Sequence, residues 1–130
     1  MIRMYFDADA TQVVRDSVNP TEGQPDYYEG PGEGGEVTAV RYLFNPTHAT
    51  DRFEDVSLTA YQDDEQMDIK YALDDGNGNP VQWLDTIQLP DGDYSTPIPV
   101  HVKVIFAPTS EPRKVTPIKH GIQAGKQFPK

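Results

Sequence analysis

Apolar residues recur on alternate positions in six stretches of the chain, the period of strands that bury one face. Near the start, Ile2, Met4 and Phe6 share a face. Between Glu36 and Asn45, Val40, Tyr42 and Phe44 fall on one face and Arg41 and Leu43 on the other. Val56, Leu58 and Ala60 point inward, away from Ser57 and Thr59, and Met67, Ile69, Tyr71 and Leu73 alternate with Asp68, Lys70 and Ala72. Ile87 and Leu89 follow the same rule before a turn at Asp91-Gly92. The longest apolar face is Ile98, Val100, Val102, Val104 and Phe106. Pro97 and Pro99 offer no backbone N–H, so this last strand must start at an edge or be free on one side there. Nowhere is helical spacing sustained over ten residues.

Strands separated by Gly, Pro, Asn and Asp clusters predict an all-β fold, a single antiparallel sandwich whose sheets each have one dry and one wet face. A length of 130 residues suits one domain. The 12 Pro and 10 Gly exceed the roughly 12% of an average chain and favour turns over helices. The expected sandwich covers residues 1–108. Two segments fall outside the pattern. Residues 7–35 have only a short apolar centre at Val13-Val14 and predict a long N-terminal loop. Residues 109–130, ending in RKVTPIKHGIQAGKQFPK, predict an extended basic C-terminal tail, and a chain ending at Pro108 is expected to fold without it.

Charge gives that tail a purpose. Residues 1–100 carry 20 Asp/Glu against 5 Lys/Arg, whereas residues 101–130 carry 1 against 6. An acidic body repels nucleic acid, and a basic end seeks an acidic surface. The expected partner-binding residues are Arg113, Lys114, Lys119, Lys126 and Lys130 for register, with Ile118, Ile122 and Phe128 as apolar anchors. Tyr27 and Tyr28, in an acidic Gly-rich stretch, are read either as interface residues or as local packing. Trp83 is read as a core or core-edge residue. Together with Tyr27 and Tyr28 it carries an alternative reading, a carbohydrate-binding module that stacks sugars on coplanar rings.

Candidate chemistry is sparse. With no cysteine, disulfides, thiolate metal sites and cysteine nucleophiles are excluded. GPGEGG matches the spacing of a dinucleotide loop, but Glu29, Glu33 and Glu36 would repel phosphates and a strand follows it where a helix is needed. Asp75, Asn77 and Asn79 have the first spacings of a calcium loop. Pro80 and Thr86 occupy the positions of its glycine and its bidentate glutamate, so a hairpin turn is expected instead. Asp63-Asp64-Glu65 and Asp91/Asp93 read as solvated clusters, with no apolar cover to tune a carboxylate. His48, His101 and His120 have neither metal-site spacing nor a triad constellation, and His101 is expected at the surface. No catalytic residue, cofactor or metal site is expected. The opening MIRMYFDADA has too short an apolar run for a signal peptide, and no stretch approaches a membrane span.

The run VSLTAYQDDEQMDIKYALDDGNGNPVQWLDTIQLPDGDYSTPIPVHVKVIFAP, Val56 to Pro108, resembles immunoglobulin-like β-sandwich accessory proteins of tailed bacteriophages. The shared features are a V-x-L-x-A strand, an ALD strand, a W…I-x-L strand and a P-V-x-V-K-V strand, with VRYLFNPT before them. The resemblance covers about 53 of the 130 residues. It implies a non-enzymatic virion protein, made in the host cytoplasm, that decorates or joins capsid, neck, tail or baseplate. Its partners would be other virion proteins or further copies of itself, with no membrane or direct nucleic-acid contact.

Burying each inward Val, Ile, Leu or Phe stabilises by roughly 1.5–3 kcal/mol, and an unpaired charge in its place costs more. Val102→Asp is therefore expected to abolish cooperative unfolding in a urea melt. A soluble variant with a wild-type transition would show that Val102 does not face the core.

Overall fold

The computed structural model describes residues 1–15, 22–30, 32–47, 51–61, 67–109 and 117–128. Eight strands are formed: β1 (Arg3–Tyr5), β2 (Asp26–Tyr27), β3 (Gly35–Phe44), β4 (Arg52–Tyr61), β5 (Met67–Leu73), β6 (Thr86–Leu89), β7 (Ile98–Phe106) and β8 (Pro117–Phe128). They build two four-stranded antiparallel sheets, ordered β1-β3-β7-β5 and β2-β8-β4-β6. Each strand lies in the sheet opposite its predecessor, so the inward faces of both sheets close over one core.

The alternating faces are the buried ones. Val100, Val102 and Val104 of β7 have no exposed surface, and Val56, Leu58, Ile69, Ile87 and Leu89 surround them. In β3 the inward face is the one bearing Arg41 and Leu43, with Val37 and Ala39 against the core. Pro99 pairs with Tyr42 of β3, and the β5 ladder begins one residue later at Val100. The missing N–H therefore falls where β7 has no second partner. Strand β4 breaks strict alternation: Phe53 and Val56 are both buried, because Asp55 between them takes a φ of 55° and turns the strand over. Gly125 lies beneath that kink, where a Cβ would come within 2.7 Å of the Asp55 Cβ.

The hairpin after β5 forms as its turn residues require. Val81 N–H bonds the Leu73 carbonyl at 2.9 Å, and Gly76 and Gly78 take φ values near 90°. The Asp75 carboxylate accepts the Asn77 and Asn79 amides at 2.7 and 3.1 Å, so it is used inside its own turn. The chain then returns along the edge of β5, where Leu84 and Tyr71 exchange two backbone hydrogen bonds of 2.8 Å. Trp83 covers His101, which is only 6% exposed and not the surface residue expected. His101 Nε2 lies 2.7 Å from Asp74 Oδ1.

Both segments left outside the sequence pattern contribute to the sandwich. In the N-terminal stretch, Val14 N–H bonds Met4 O, Gln24 N–H bonds Val13 O, and Arg15 N–H bonds Gln24 O. This narrow ladder leads from β1 towards β2 and closes one side of the molecule, with Val14 fully buried. Gly30 is held against the Phe106 ring so closely that a Cβ would fall 2.2 Å from it. Gly30 and Gly34 of GPGEGG thus serve close packing, Gly34 also with a φ of 90°.

The larger difference is the C-terminal segment. Residues Pro117–Phe128, expected as part of a tail beyond the sandwich, form β8 and pair with β4 from Tyr61↔Lys119 to Arg52↔Phe128. Strand β8 is internal to its sheet, between β4 and β2. The reason is an inward row of Ile118, His120 and Ile122, of which Ile118 is 2% and His120 0% exposed. A chain ending at Pro108 would uncover the core edge of β4 and leave its backbone ladder unmet. Such a chain is expected to lose cooperative unfolding, as measured by circular dichroism in urea. A truncated chain with a wild-type transition would contradict the placement of β8.

Candidate docking surface

Five side chains meet beneath β8 in a polar network that crosses the sandwich. Asp26 of β2 and His120 of β8 come from one sheet, Arg41 of β3 and Tyr71 of β5 from the other, and Tyr28 follows β2. The Asp26 carboxylate receives Arg41 NH2 at 2.7 Å on Oδ1. Its Oδ2 receives Arg41 Nε at 3.2 Å, the Tyr28 hydroxyl at 3.0 Å and His120 Nε2 at 2.7 Å. The far nitrogen of His120, Nδ1, lies 2.6 Å from the Tyr71 hydroxyl, with the two rings edge to face. Since an ionised carboxylate only accepts, Nε2 carries the hydrogen towards Asp26, and in the neutral ring Nδ1 accepts from Tyr71. The Arg41 guanidinium also lies over the rings of Phe6 and Tyr28, at 4.8 and 5.6 Å.

The electrostatics follow from burial and pairing. Burial alone would raise the Asp26 pKa, but hydrogen bonds from His120 and Arg41 outweigh it and hold the carboxyl below its ordinary value. Burial and the Asp26 charge push the Tyr28 phenol far up, and burial does the same for Tyr71. Asp26, Tyr71 and His120 resemble an acid–base relay in composition. With side-chain exposure of 1% for Asp26 and 0% for His120, however, they are sealed from any substrate. The network acts as a clamp: it fixes β2 and β8 onto the opposite sheet without a disulfide.

The clamp separates the expected partner-binding residues into two groups. Ile118, Ile122 and Tyr28 face inward: Ile118 and Tyr28 are buried, and Ile122 packs on the core. Lys119, Lys126, Phe128 and Tyr27 face outward, with Phe128 46% and Tyr27 53% exposed. Arg113, Lys114 and Lys130 lie outside the described residues, as do His48 and Asp63-Asp64-Glu65. The three aromatics of the carbohydrate reading do not share a face. Tyr28 is inside, Tyr27 is on β2 of one sheet, and Trp83 lies on the other sheet against His101 and 4.5 Å from Lys103 Nζ. Among the described residues, no three His, Asp or Glu side chains gather as a metal site.

What remains open on β8 is its outer edge. Strand β2 pairs with it only at Ile118 and Pro117. From His120 to Phe128 the strand has β4 on one side and, among the described residues, no strand on the other. Alternate residues of such an edge present unmet backbone N–H and C=O groups, a template for another strand. Sequence reasoning found the segment but not the edge; it placed Arg41 and Tyr71 only by strand face, read His120 as lacking a site, did not single out Asp26, and did not bring the four together. Their separations reach 94 residues, so no local spacing signals them.

No family model, curated protein or solved structure matches this chain.

The clamp has a pH signature. Because the Asp26 pKa is depressed in the folded state, its ionised form adds stability above the ordinary carboxyl pKa of about 3.9. That contribution fades as the pH falls towards the folded-state value. Removing one member of a buried charge pair costs about 3–5 kcal/mol, since Arg41 is left without its partner. In urea melts at neutral pH, Asp26→Asn is expected to lose that much. It should also show a smaller further loss on acidification than the wild type. Equal stability at neutral pH, or an equal acid response, would contradict the clamp.

Proposed function

We propose that this protein is a non-enzymatic structural subunit of a tailed-phage virion, an immunoglobulin-like sandwich that docks on a neighbouring virion protein through β8 and the residues after it. The observation that carries this reading is the outer edge of β8 from His120 to Phe128, which no strand among the described residues pairs, on a basic strand of an acidic body. Docking by strand addition uses main-chain hydrogen bonds for affinity and side-chain anchors for specificity. Phe128 and Lys126 are the exposed anchor and charge on that edge.

The immunoglobulin-like part is supported by strand order. The order β1-β3-β7-β5 corresponds to A-B-E-D, and the β8-β4 pair to F-C. Strand β6 flanks β4 where a variable-type C′ strand would lie, although it follows β5 in the chain. The virion setting is supported by the resemblance of Val56–Pro108 to phage accessory sandwiches. The neighbours on this reading are capsid, neck, tail or baseplate proteins, or further copies of the chain.

Immunogold labelling of intact particles with an antibody to the purified chain tests the setting. Particles released by cells that express the gene are expected to carry label at a fixed site on head, neck or tail. Label confined to the soluble lysate, with unmarked particles, would overturn the reading.

A further inference from the structure

At the opposite edge of the same sheet, too, no described strand pairs beyond the last one, and the surroundings of that edge complement β8. Strand β6 pairs only with β4 among the described residues. Beside it the sandwich opens in a cleft of about 550 Å³ lined largely by apolar side chains, among them Leu73, Leu89, Pro90, Ile98 and Pro99. A smaller recess of about 270 Å³ continues it past Val81, Leu84 and Ile87. Val81 and Leu84 are 64% and 42% exposed. Among the described residues, six large hydrophobic side chains are exposed, and four of them lie at these two edges: Tyr27 and Phe128 near β8, Val81 and Leu84 near β6.

Charge divides the two edges in the same way. After Glu111 the chain holds no acidic residue, so β8 is acid-free and carries Lys126. The cleft has Asp74 in its wall, and Asp85 and Asp91 flank β6, with side chains 76% and 47% exposed. For a chain of net charge −10, β8 itself brings no acidic side chain to such a contact, and the acidic residues beside it, Asp51, Glu54 and Asp55, stand on its β4 side rather than at its outer edge.

We infer that the cleft beside β6 receives the β8 edge of a second copy of this chain, with Phe128 and its neighbours entering the apolar wall and Lys126 facing the acidic flank. Since β6 and β8 are both antiparallel to β4, a repeat that keeps the same sheet face inward sets them parallel. Strand β2 pairs with Pro117 and Ile118, and from His120 to Phe128 no described strand lies along the outer edge of β8. The contact is heterologous, one edge of each copy against the opposite edge of the next, so it builds rings or filaments rather than closed dimers. The inference rests on β8 being the docking strand of the preceding section, but not on the virion setting.

Analytical ultracentrifugation of the full chain over a concentration series tests it. The wild type is expected to associate beyond the dimer as concentration rises. Lys126→Glu/Phe128→Glu blocks one edge and Val81→Glu/Leu84→Glu the other, and all four changes are on exposed side chains. Each double variant alone is expected to be a folded monomer, confirmed by a cooperative urea transition. An equimolar mixture retains one intact pair of edges and is expected to form a 1:1 complex that grows no further. A monomeric wild type at every concentration, a closed dimer, association surviving in either folded variant, or a mixture that stays monomeric would each overturn the proposal. None of these outcomes bears on whether virions carry the antibody label, so the two proposals fail separately.

Discussion

The Asp26 carboxylate has 1% of its side-chain surface exposed and carries a charge that the interior tolerates only while Arg41, His120 and Tyr28 surround it. Keeping those donors in place requires β3 to run with Arg41 inward, β8 to place His120 opposite, and β2 to lie across the start of β8. Shifting β8 by one residue would turn His120 to solvent and leave the carboxylate with one bond fewer. A buried charge cluster of this kind is a poor source of net stability and a good selector among alternative strand registers. Here it selects the register of a strand whose outer half, from Gln123 to Phe128, is exposed and could not select it by packing.

That division explains how the C-terminal strand serves two ends. Its first half is locked, with Ile118 and His120 in the interior. Its second half keeps the β4 ladder on one side and, among the described residues, no strand on the other. Protein edges are usually blunted by charge, proline or a cover. Strand β8 spends its proline and its cover on the first two residues, where β2 lies. An edge locked at one end and open along the rest is a preorganised acceptor, because little further ordering is needed when another strand adds to it.

How far the sequence revealed this depends on the residue. The strands from Val56 to Phe106 were legible because Val, Leu, Ile and Phe alternate there without interruption, and the hairpin at Asn77-Gly78 because its turn chemistry is local. Strand β8 was hidden for a specific reason. Its core row is only Ile118, His120 and Ile122, so a polar-looking histidine interrupts a short apolar period, and Gly121 and Gly125 suggest a loop. The N-terminal wall was illegible because its pieces at Val13-Val14 and Asp26-Tyr27 are too short to show any period. The His101 side chain alternates outward as expected, yet Trp83 folds over it from a distant part of the chain. The network itself joins positions 26, 41, 71 and 120, and only the folded chain brings those together.

If the clamp makes β8 an integral strand, it must open no more readily than the rest of the core. Native-state hydrogen exchange of the β8 amides bonded to β4, read against those of β7, measures this directly. Integral placement predicts that the amides from His120 to Ala124 on that side exchange only through global unfolding, with the free energy of the β7 amides. Exchange of that segment at a markedly lower free energy, independent of denaturant while β7 remains protected, would show β8 to be a detachable arm and would contradict the account.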